Sequence, residues 1–356
     1  MRAVPVIGLT GYLGAGKTTV LNHVLRTPGA RIGVVINDFG ELNVDAGLVT
    51  GQVDEPASIA GGCICCLPED GALDVALTRL ADPKLDLDAI IVEASGLADP
   101  VAISRIIHFS GVDNVRWGGI VDVIDARAHF DTVDRGVEPP ARYGAASLVV
   151  VNKLDQVPED ALARIEARVQ QRNPQLQVVG AIAGRIDPAL LYDVPARGDE
   201  PGQLSLRDLM VDAHPDGHVH ADSVTVTSEG CVDPDALFDL LEDPPAGVYR
   251  LKGVVAIRER SAVRPYVVNL VGTSVHIAAA RGAPARGTAG AARGAPARGT
   301  AGPARGTAGV NHLVAIGMHL DIDTTRSRLA TALCNTAKPP SANGIRRLQR
   351  YRRSSI

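Results

Sequence analysis

The sequence predicts an α/β fold with a mostly parallel sheet and helices on both of its faces, followed by a smaller α+β domain. Short apolar runs rich in β-branched residues alternate with helical periodicities from Val4 to Tyr192. This alternation is typical of parallel sheets, because their strands are connected by crossover helices. Polar motifs follow several of these strands at the point where each strand ends. From about Asp193 to Gly217 the pattern gives way to Pro, Gly, Asp and Arg, which indicates a linker.

The first strand is predicted within Val4–Leu9, and apolar residues at helical spacing predict a helix that includes Val20–Leu25. Between them, Gly11–Thr18 fits the pattern G-x-x-x-x-G-K-[ST] at every position. The alternative is a glycine-rich turn that binds nothing. Strand, glycine loop and helix come in the order that phosphate binding requires, so the sequence predicts a nucleoside triphosphate site.

Each residue type in this loop has a chemical reason. Glycines let successive backbone N–H groups point at phosphate oxygens, and the helix N-terminus adds a partial positive charge. Lys17 would reach the β- and γ-phosphates, and the Thr18 hydroxyl would ligate Mg²⁺. We assign nucleotide binding to Gly11, Gly14, Ala15, Gly16, Lys17, Thr18 and Thr19.

The remaining periodicities of this region predict further strands and helices. Strands are predicted at 32–36, 89–92, 119–124, 148–151 and 176–182, and helices at 72–80, 101–109 and 159–172. Glu93 ends one of these strands where a P-loop enzyme needs an acid near Mg²⁺, and Gly96 would let the backbone approach the γ-phosphate. The alternative for Glu93 is a carboxylate that caps the next helix.

The second strong motif is Asn152-Lys153-Leu154-Asp155, directly after an apolar strand. The Asp155 carboxylate would accept hydrogen bonds from guanine N1–H and the 2-amino group together. Adenine has no matching donors and would leave a desolvated carboxylate unpaired, which favours GTP over ATP. Lys153 would lie along the base, and Asn152 would tie this loop to the phosphate loop.

Two stretches between the first two motifs are chemically unusual. Glu41, in a polar segment after the second strand, is a candidate to face the metal or the attacking water; a solvated acidic loop is the alternative. Cys63, Cys65 and Cys66 offer three soft ligands to a tetrahedral Zn²⁺ or a similar ion and leave one position open for transfer. Buried structural cysteines and redox chemistry remain alternatives, although adjacent cysteines would form a strained disulfide.

Isolated ligand candidates lie farther along the chain. His218 and His220 are possible auxiliary metal ligands, because they would share a face if the segment were extended; a solvated polar linker explains them equally well. Cys231 and Cys334 stand alone and are expected in the core.

Composition excludes several classes of protein. The chain has 356 residues and a formal net charge of −4, and ten arginines lie in a repeat at 281–305 and a tail at 346–353. Without those ten charges the remainder falls from −4 to −14, so we expect no nucleic-acid binding by the folded body. No apolar run approaches the roughly 20 residues that span a bilayer, and we expect no leader peptide, because the first predicted strand begins at Val4. We therefore expect a cytoplasmic protein without membrane contact.

The predicted domain organisation follows from these patterns. Residues 1–192 form the nucleotide-binding domain, 193–218 a linker, 219–335 the α+β domain and 336–356 a basic tail expected to be solvated. Within the α+β domain, strands are predicted at 219–227, 251–257, 267–277 and 313–316, with helices at 234–241 and 324–333. An Arg/Gly/Ala repeat at 279–309 holds no large apolar residue and is expected to be disordered.

These motifs, in this order, resemble those of the CobW family of P-loop GTPases. Gly61-Gly-Cys63-Ile-Cys65-Cys66 within a P-loop GTPase is highly specific, and Asn37–Glu41 and Glu93–Pro100 resemble the switch stretch and the second acidic motif of the family. Tyr249–Gly253 and Ile316–Asp321 are similar to its small second domain. The resemblance implies that the cysteine motif binds Zn²⁺ or Co²⁺ and that GTP with Mg²⁺ shapes the metal site.

From the motifs and the resemblance together we expect a slow GTPase that acts as a metallochaperone for a client metalloprotein. The catalytic residues would be Lys17, Glu41 and Glu93. A nucleotide-binding metal buffer or regulatory protein is the alternative. The sequence leaves open which metal is bound, which client receives it and whether the protein forms a homodimer.

Overall fold

The structure, a computed structural model, describes residues 3–26, 30–37, 57–59, 72–96, 98–192, 221–259, 262–280 and 310–354. Within these residues the chain forms two sheets, one of seven strands and one of five. None of the described helices combines the length and the apolar character that crossing a bilayer requires.

The seven-stranded sheet is parallel at every described pairing, as the alternating pattern predicted. Its order is β3-β2-β4-β1-β5-β6-β7, so the first strand lies at the centre of the sheet. The strands are β1 (Val4–Gly11), β2 (Ile32–Asn37), β3 (Ala57–Ile59), β4 (Ala89–Glu93), β5 (Val115–Asp125), β6 (Leu148–Asn152) and β7 (Gln177–Gly180).

Helices cover both faces of this sheet. Side chains alternate between the faces along each strand, so neighbouring residues of one strand pack against different helices. Ile7 packs in one core cluster with Leu21 of the first helix, whereas Val6 packs in another with Ile103 of the third. The α/β prediction is therefore confirmed. The helices are α1 (Lys17–Leu25), α2 (Ala72–Leu80), α3 (Pro100–His108), α4 (His129–Thr132), α5 (Arg142–Ala145) and α6 (Ala161–Arg172).

The register of the sheet aligns the carboxyl ends of the central strands. Leu9 of β1 lies opposite Glu93 of β4, and Asp125 of β5 lies opposite Asn152 of β6. In parallel sheets, ligands bind outside these carboxyl ends. The motifs that end the strands are thereby brought to one edge.

The second sheet is antiparallel, with the order β11-β10-β9-β12-β8. Its helices share one core cluster with the sheet, which confirms a smaller α+β unit. The strands are β8 (Asp222–Glu229), β9 (Val248–Glu259), β10 (Ala262–Val271), β11 (Ser274–Ala279) and β12 (Val310–Gly317), and the helices are α7 (Pro234–Glu242), α8 (Ile322–Ala332) and α9 (Ala342–Ser354).

Two sequence predictions in this unit are wrong. The single strand expected at 267–277 is a hairpin, because Gly272 adopts a φ of 55° and Val271 pairs with Ser274 across a two-residue turn. Cys231 is buried as expected, but Cys334 is exposed.

The basic tail is also not solvated over the residues that form α9. Leu348 is only 1% exposed, and the ring of Tyr351 stacks on Phe238 of α7 at 5.1 Å between centroids. Arg347 Nη1 and Nη2 pair with Asp239 at 2.7 Å and Glu242 at 2.9 Å. At least one arginine of this segment, Arg347, therefore pairs with the acidic face of α7 and is not simply solvated.

The two units meet through a continuous core. Tyr249, Val271 and Met318 of the second unit belong to the same buried cluster as α1 and β1. Arg250 Nη1 donates to the Ala189 carbonyl at 3.0 Å across the same junction. The unit with the seven-stranded sheet and the α+β unit are thus packed together in the described residues.

Candidate functional site

The phosphate loop connects the end of β1 to the start of α1. Gly11 and Gly16 have φ angles of 150° and 101°, which L side chains rarely adopt. A Cβ on Gly11 would lie 2.5 Å from the Val123 carbonyl oxygen, and one on Gly16 would collide with the Asn152 amide. The two glycines are therefore required by both conformation and space.

The Lys17 side chain folds back so that its ammonium group contacts the backbone of the phosphate loop. Lys17 Nζ donates to the Gly11 carbonyl at 3.2 Å, and the Ala15 N–H donates to the Tyr12 carbonyl at 3.0 Å. A Cβ on Gly14 would meet no atom within 4 Å, so space is open on that side of the loop. Together, these features suit a phosphate group with Lys17 beside it.

Thr18 and Glu93 meet at the point where the sequence predicted Mg²⁺. Thr18 Oγ1 donates to Glu93 Oε1 at 2.9 Å, and Glu93 is only 2% exposed at the end of β4. A hydroxyl and a carboxylate beside a phosphate loop are the hard oxygen donors that Mg²⁺ prefers. The chemistry of this pair therefore fits the metal.

Gly96 brings the segment after Glu93 against the phosphate loop. A Cβ on Gly96 would lie 2.9 Å from both N and Cα of Leu13. Any larger residue would therefore push the two segments apart. Asp99 then caps α3 by accepting from the Val101 N–H at 3.1 Å, with Pro100 as the first helical residue.

Asn152 ties the loop after β6 to the phosphate loop, as the sequence predicted. It is 2% exposed, and its Nδ2 donates to the Ala15 carbonyl at 3.1 Å. Its Oδ1 accepts from the Gly184 N–H at 2.9 Å. Both polar ends of this buried amide are thus used in holding three loops together.

Lys153 and Asp155 lie on the open side of the same loop. Lys153 has a φ of 66°, and its Nζ lies 2.5 Å from the Gly14 carbonyl oxygen and 2.6 Å from Asp125 Oδ2. Asp155 is exposed at the start of a short 3₁₀ turn. An exposed carboxylate beside a fixed lysine can receive the two donors of a guanine base.

Sequence reasoning missed Asp125, the last residue of β5. Its carboxylate accepts from Lys153 and also from Arg127 Nε and Nη2, at 3.3 and 3.2 Å. Burial raises the pKa of Asp125, but hydrogen bonds from Arg127 and Lys153 outweigh burial and hold that pKa below its ordinary value. A polar residue at the end of a central strand was the available signal, since Glu93 and Asn152 occupy the same kind of position.

Two further groups were missed beneath the site. Asp122 is fully buried and accepts from Thr10 Oγ1 at 2.8 Å and from Arg142 Nε and Nη2 at 2.7 and 2.6 Å. This network fixes β1 and β5 below the phosphate loop. Gly184, with a φ of 70°, packs against the start of α1, where a Cβ would lie 2.7 Å from the Val20 nitrogen.

Six predicted site residues are outside the described residues: Glu41, Cys63, Cys65, Cys66, His218 and His220. In the part of the chain that the structure describes, no group of three or more His, Cys, Asp and Glu side chains could hold a metal ion. The assignments of these six residues to the metal site or to catalysis remain predictions. The other predicted residues are placed around the end of β1, β4 and β6.

A phosphate loop after the central strand, a buried acid at the end of its neighbour and an Asn-Lys-x-Asp loop define a P-loop nucleotide-binding protein. Residues 5–180 match the family described as "CobW/HypB/UreG, nucleotide-binding domain". Residues 221–333 match "Cobalamin synthesis protein cobW C-terminal domain". The chain belongs to this family of P-loop GTPases and carries its CobW C-terminal domain, which confirms the resemblance inferred from the motifs.

Curated relatives agree with this placement. The zinc chaperone CobW of Pseudomonas aeruginosa is 30% identical over 254 residues, which is 62% of this chain and 65% of the relative. The zinc chaperone YjiA of Escherichia coli is 29% identical over 68% of this chain and 75% of its own length. The zinc-regulated GTPase metalloprotein activator 1 of Dictyostelium discoideum is 27% identical, and the match spans about half of that protein (51%).

A solved structure also resembles the chain. The crystal structure of Zn(II)-bound YjiA GTPase from E. coli is 20% identical, with a TM-score of 0.41 over 93% of this chain and 99% of that chain.

Proposed function

We propose that this protein is a GTPase that receives a transition metal ion on the thiolates of Cys63, Cys65 and Cys66 and delivers it to a client metalloprotein in the cytoplasm. The metal would be zinc or cobalt, and the names of the relatives favour zinc. The observation that carries the proposal is that Thr18 pairs with Glu93 and Asn152 contacts Ala15 around one phosphate loop. This loop lies at the edge of the sheet where β3 also ends.

The register of the sheet supports a connection between the cysteine motif and the nucleotide. Ile59, the last residue of β3, pairs with Asn37, and Ile36 pairs with Glu93. Strands are about 4.8 Å apart, so Ile59 lies on the order of 10 Å from Glu93. Cys63 follows Ile59 by four residues, a reach of at most about 14 Å. The chain is therefore long enough to bring thiolates to the nucleotide edge.

Each residue has a role in the proposed reaction. Thr18 and Glu93 would hold Mg²⁺, which when bound neutralises charge on the β- and γ-phosphate oxygens. Lys17 would stabilise the charge that develops on the transferred phosphoryl group, and Asp155 would select guanine. Glu41 would orient the water that attacks the γ-phosphorus as the bond to GDP breaks.

Hydrolysis would then be coupled to release of the metal. The switch stretch begins at Asn37, the last residue of β2, and β2 lies next to β3, the strand that leads to the cysteines. Loss of the γ-phosphate would release this stretch and loosen the thiolate site. Thiolate coordination requires deprotonated cysteines, so metal binding should release protons and weaken in acid. Turnover without a client is expected to be slow, because we assign no arginine to the γ-phosphate.

The test compares metal affinity in two nucleotide states. Zinc and cobalt affinities of the full chain are measured by competition with a chromophoric chelator, with Mg²⁺ and either GDP or a non-hydrolysable GTP analogue. We expect the analogue to tighten metal binding about tenfold or more. Cys66→Ala should abolish that difference, whereas Cys334→Ala, which removes an exposed cysteine of the C-terminal domain, should preserve it. Equal affinities in both states would identify a nucleotide-binding metal buffer instead.

A further inference from the structure

We propose that Asp125 is a positioning residue for guanine-nucleotide binding: its carboxylate holds the Lys153 ammonium so that the lysine stem can lie along the base. The inference rests on the proposed function, because it assumes that the Asn152–Asp155 loop binds a purine nucleotide. It adds a residue outside both motifs to that site.

The geometry fixes Lys153 at both of its ends. Its backbone is in the left-handed region, with a φ of 66°, and its Nζ lies 2.5 Å from the Gly14 carbonyl oxygen and 2.6 Å from Asp125 Oδ2. A lysine side chain otherwise populates many rotamers, and binding a base would have to restrict them. Here the restriction precedes nucleotide binding, which favours affinity through preorganisation.

A carboxylate is needed to hold the Lys153 ammonium in place, because the other acceptor, the Gly14 carbonyl, is a single neutral group. Charge-assisted hydrogen bonds are shorter and about twice as strong as neutral ones. The Asp125 carboxylate is itself fixed, since Oδ1 accepts from the Arg127 backbone N–H at 3.0 Å and from its Nε at 3.3 Å. The Lys153 ammonium therefore meets an anion that cannot rotate away.

The position of Asp125 in the sheet explains why this acid, and not another one of β5, holds the Lys153 ammonium. It ends β5, opposite Asn152 in register, and β5 lies between β1 and β6. Its side chain is therefore between the phosphate loop and the base loop. Asp122, three residues earlier on the same strand, is fully buried below the site and is occupied by Arg142 and Thr10.

The test is a double-mutant cycle on the full chain with Mg²⁺. GDP affinity is measured by titration calorimetry for the wild type, Asp125→Asn, Lys153→Ala and the double variant. Asp125→Asn keeps the size of the side chain, and we expect it to weaken GDP binding about tenfold. The double variant should bind no more weakly than Lys153→Ala alone, since Asp125 acts through Lys153. Asp131→Asn, an exposed acid of α4, is the control for loss of a nearby charge and should leave the affinity unchanged.

The outcomes separate this inference from the proposed function. If Asp125→Asn binds GDP within about twofold of the wild type, or if its effect adds fully to that of Lys153→Ala, the positioning role is wrong. If the wild type binds ADP as tightly as GDP, the guanine specificity of the proposed function is wrong. The same cycle measured with ADP would then still decide whether Asp125 acts through Lys153.

Discussion

Replacing Asn152 by alanine should weaken both folding and nucleotide binding. The side chain is 2% exposed and makes two hydrogen bonds, from Nδ2 to the Ala15 carbonyl and to Oδ1 from the Gly184 N–H. Asn152→Ala leaves both backbone groups without these partners. A buried polar group left unsatisfied costs about 1–3 kcal/mol, so for the two groups we expect the free energy of unfolding to fall by about 2–6 kcal/mol.

The effect on nucleotide affinity follows from the position of Ala15. Its peptide lies between Gly14 and Gly16, whose backbone is shaped to cradle phosphate. Without the Asn152 amide, the phosphate loop around Ala15 loses a fixed contact. Part of the free energy of nucleotide binding must then be used to restore the conformation of this loop. We expect GDP affinity to fall about tenfold, which corresponds to about 1.4 kcal/mol.

The assay pairs urea denaturation of the full chain with GDP titration, and the second sheet offers a matched control. Asn311 is also buried, with Oδ1 accepting from the Ala256 N–H and Nδ2 donating to Ser228 and Gly230. Asn311→Ala should destabilise the protein to a similar degree and leave GDP affinity unchanged. Equal loss of GDP affinity in both variants would refute the reasoning, because the effect would then report only general destabilisation.

Three further predictions concern stability. Asp122→Ala leaves the largely buried guanidinium of Arg142 unpaired and should lower the unfolding free energy by about 3–5 kcal/mol in urea denaturation. Burial and the nearby Arg116 lower the pKa of His276 from 6.5 to about 4, so the unfolded chain binds a proton that the folded chain excludes. The stability that comes from keeping His276 neutral is fully present above pH 6.5 and is lost as pH falls toward 4. His276→Gln should therefore reduce the slope of the unfolding free energy against pH in that window by about 1.4 kcal/mol per pH unit. Leu348→Ala should cost about 2–5 kcal/mol by thermal or urea unfolding, because Leu348 anchors α9 in the second core.

Each of these has a clear contrary result. Asp122→Ala with unchanged stability would mean that the Arg142 guanidinium finds another partner. An unchanged acid slope in His276→Gln would mean that His276 is protonated in the folded chain at its ordinary pKa. A Leu348→Ala variant as stable as the wild type would mean that α9 does not pack on the second sheet in solution.

Local sequence patterns predicted the parts of this protein whose chemistry is contiguous in the chain. Gly11–Thr18 and Asn152–Asp155 each need only a few consecutive residues of fixed type and a preceding strand, so both could be recognised without knowing their neighbours. The alternation of apolar runs predicted the parallel sheet for the same reason. The contact of Asn152 with the phosphate loop was also predictable, because ligand loops of a parallel sheet meet at one edge.

The strand order, the contact between Asp125 and Lys153 and the packing of α9 on α7 were decided by the tertiary structure alone. The sequence shows Asp125 as an acid at the end of an apolar strand, but its contact with Lys153 depends on β5 lying between β1 and β6. The arginines of α9 read as a solvated tail, because the acidic face of α7 that receives Arg347 lies more than 100 residues earlier. The sequence determined which groups could bind a phosphate and a guanine base. Only the fold could decide which charge holds which partner, because strand order and register set the distances between side chains that are remote along the chain.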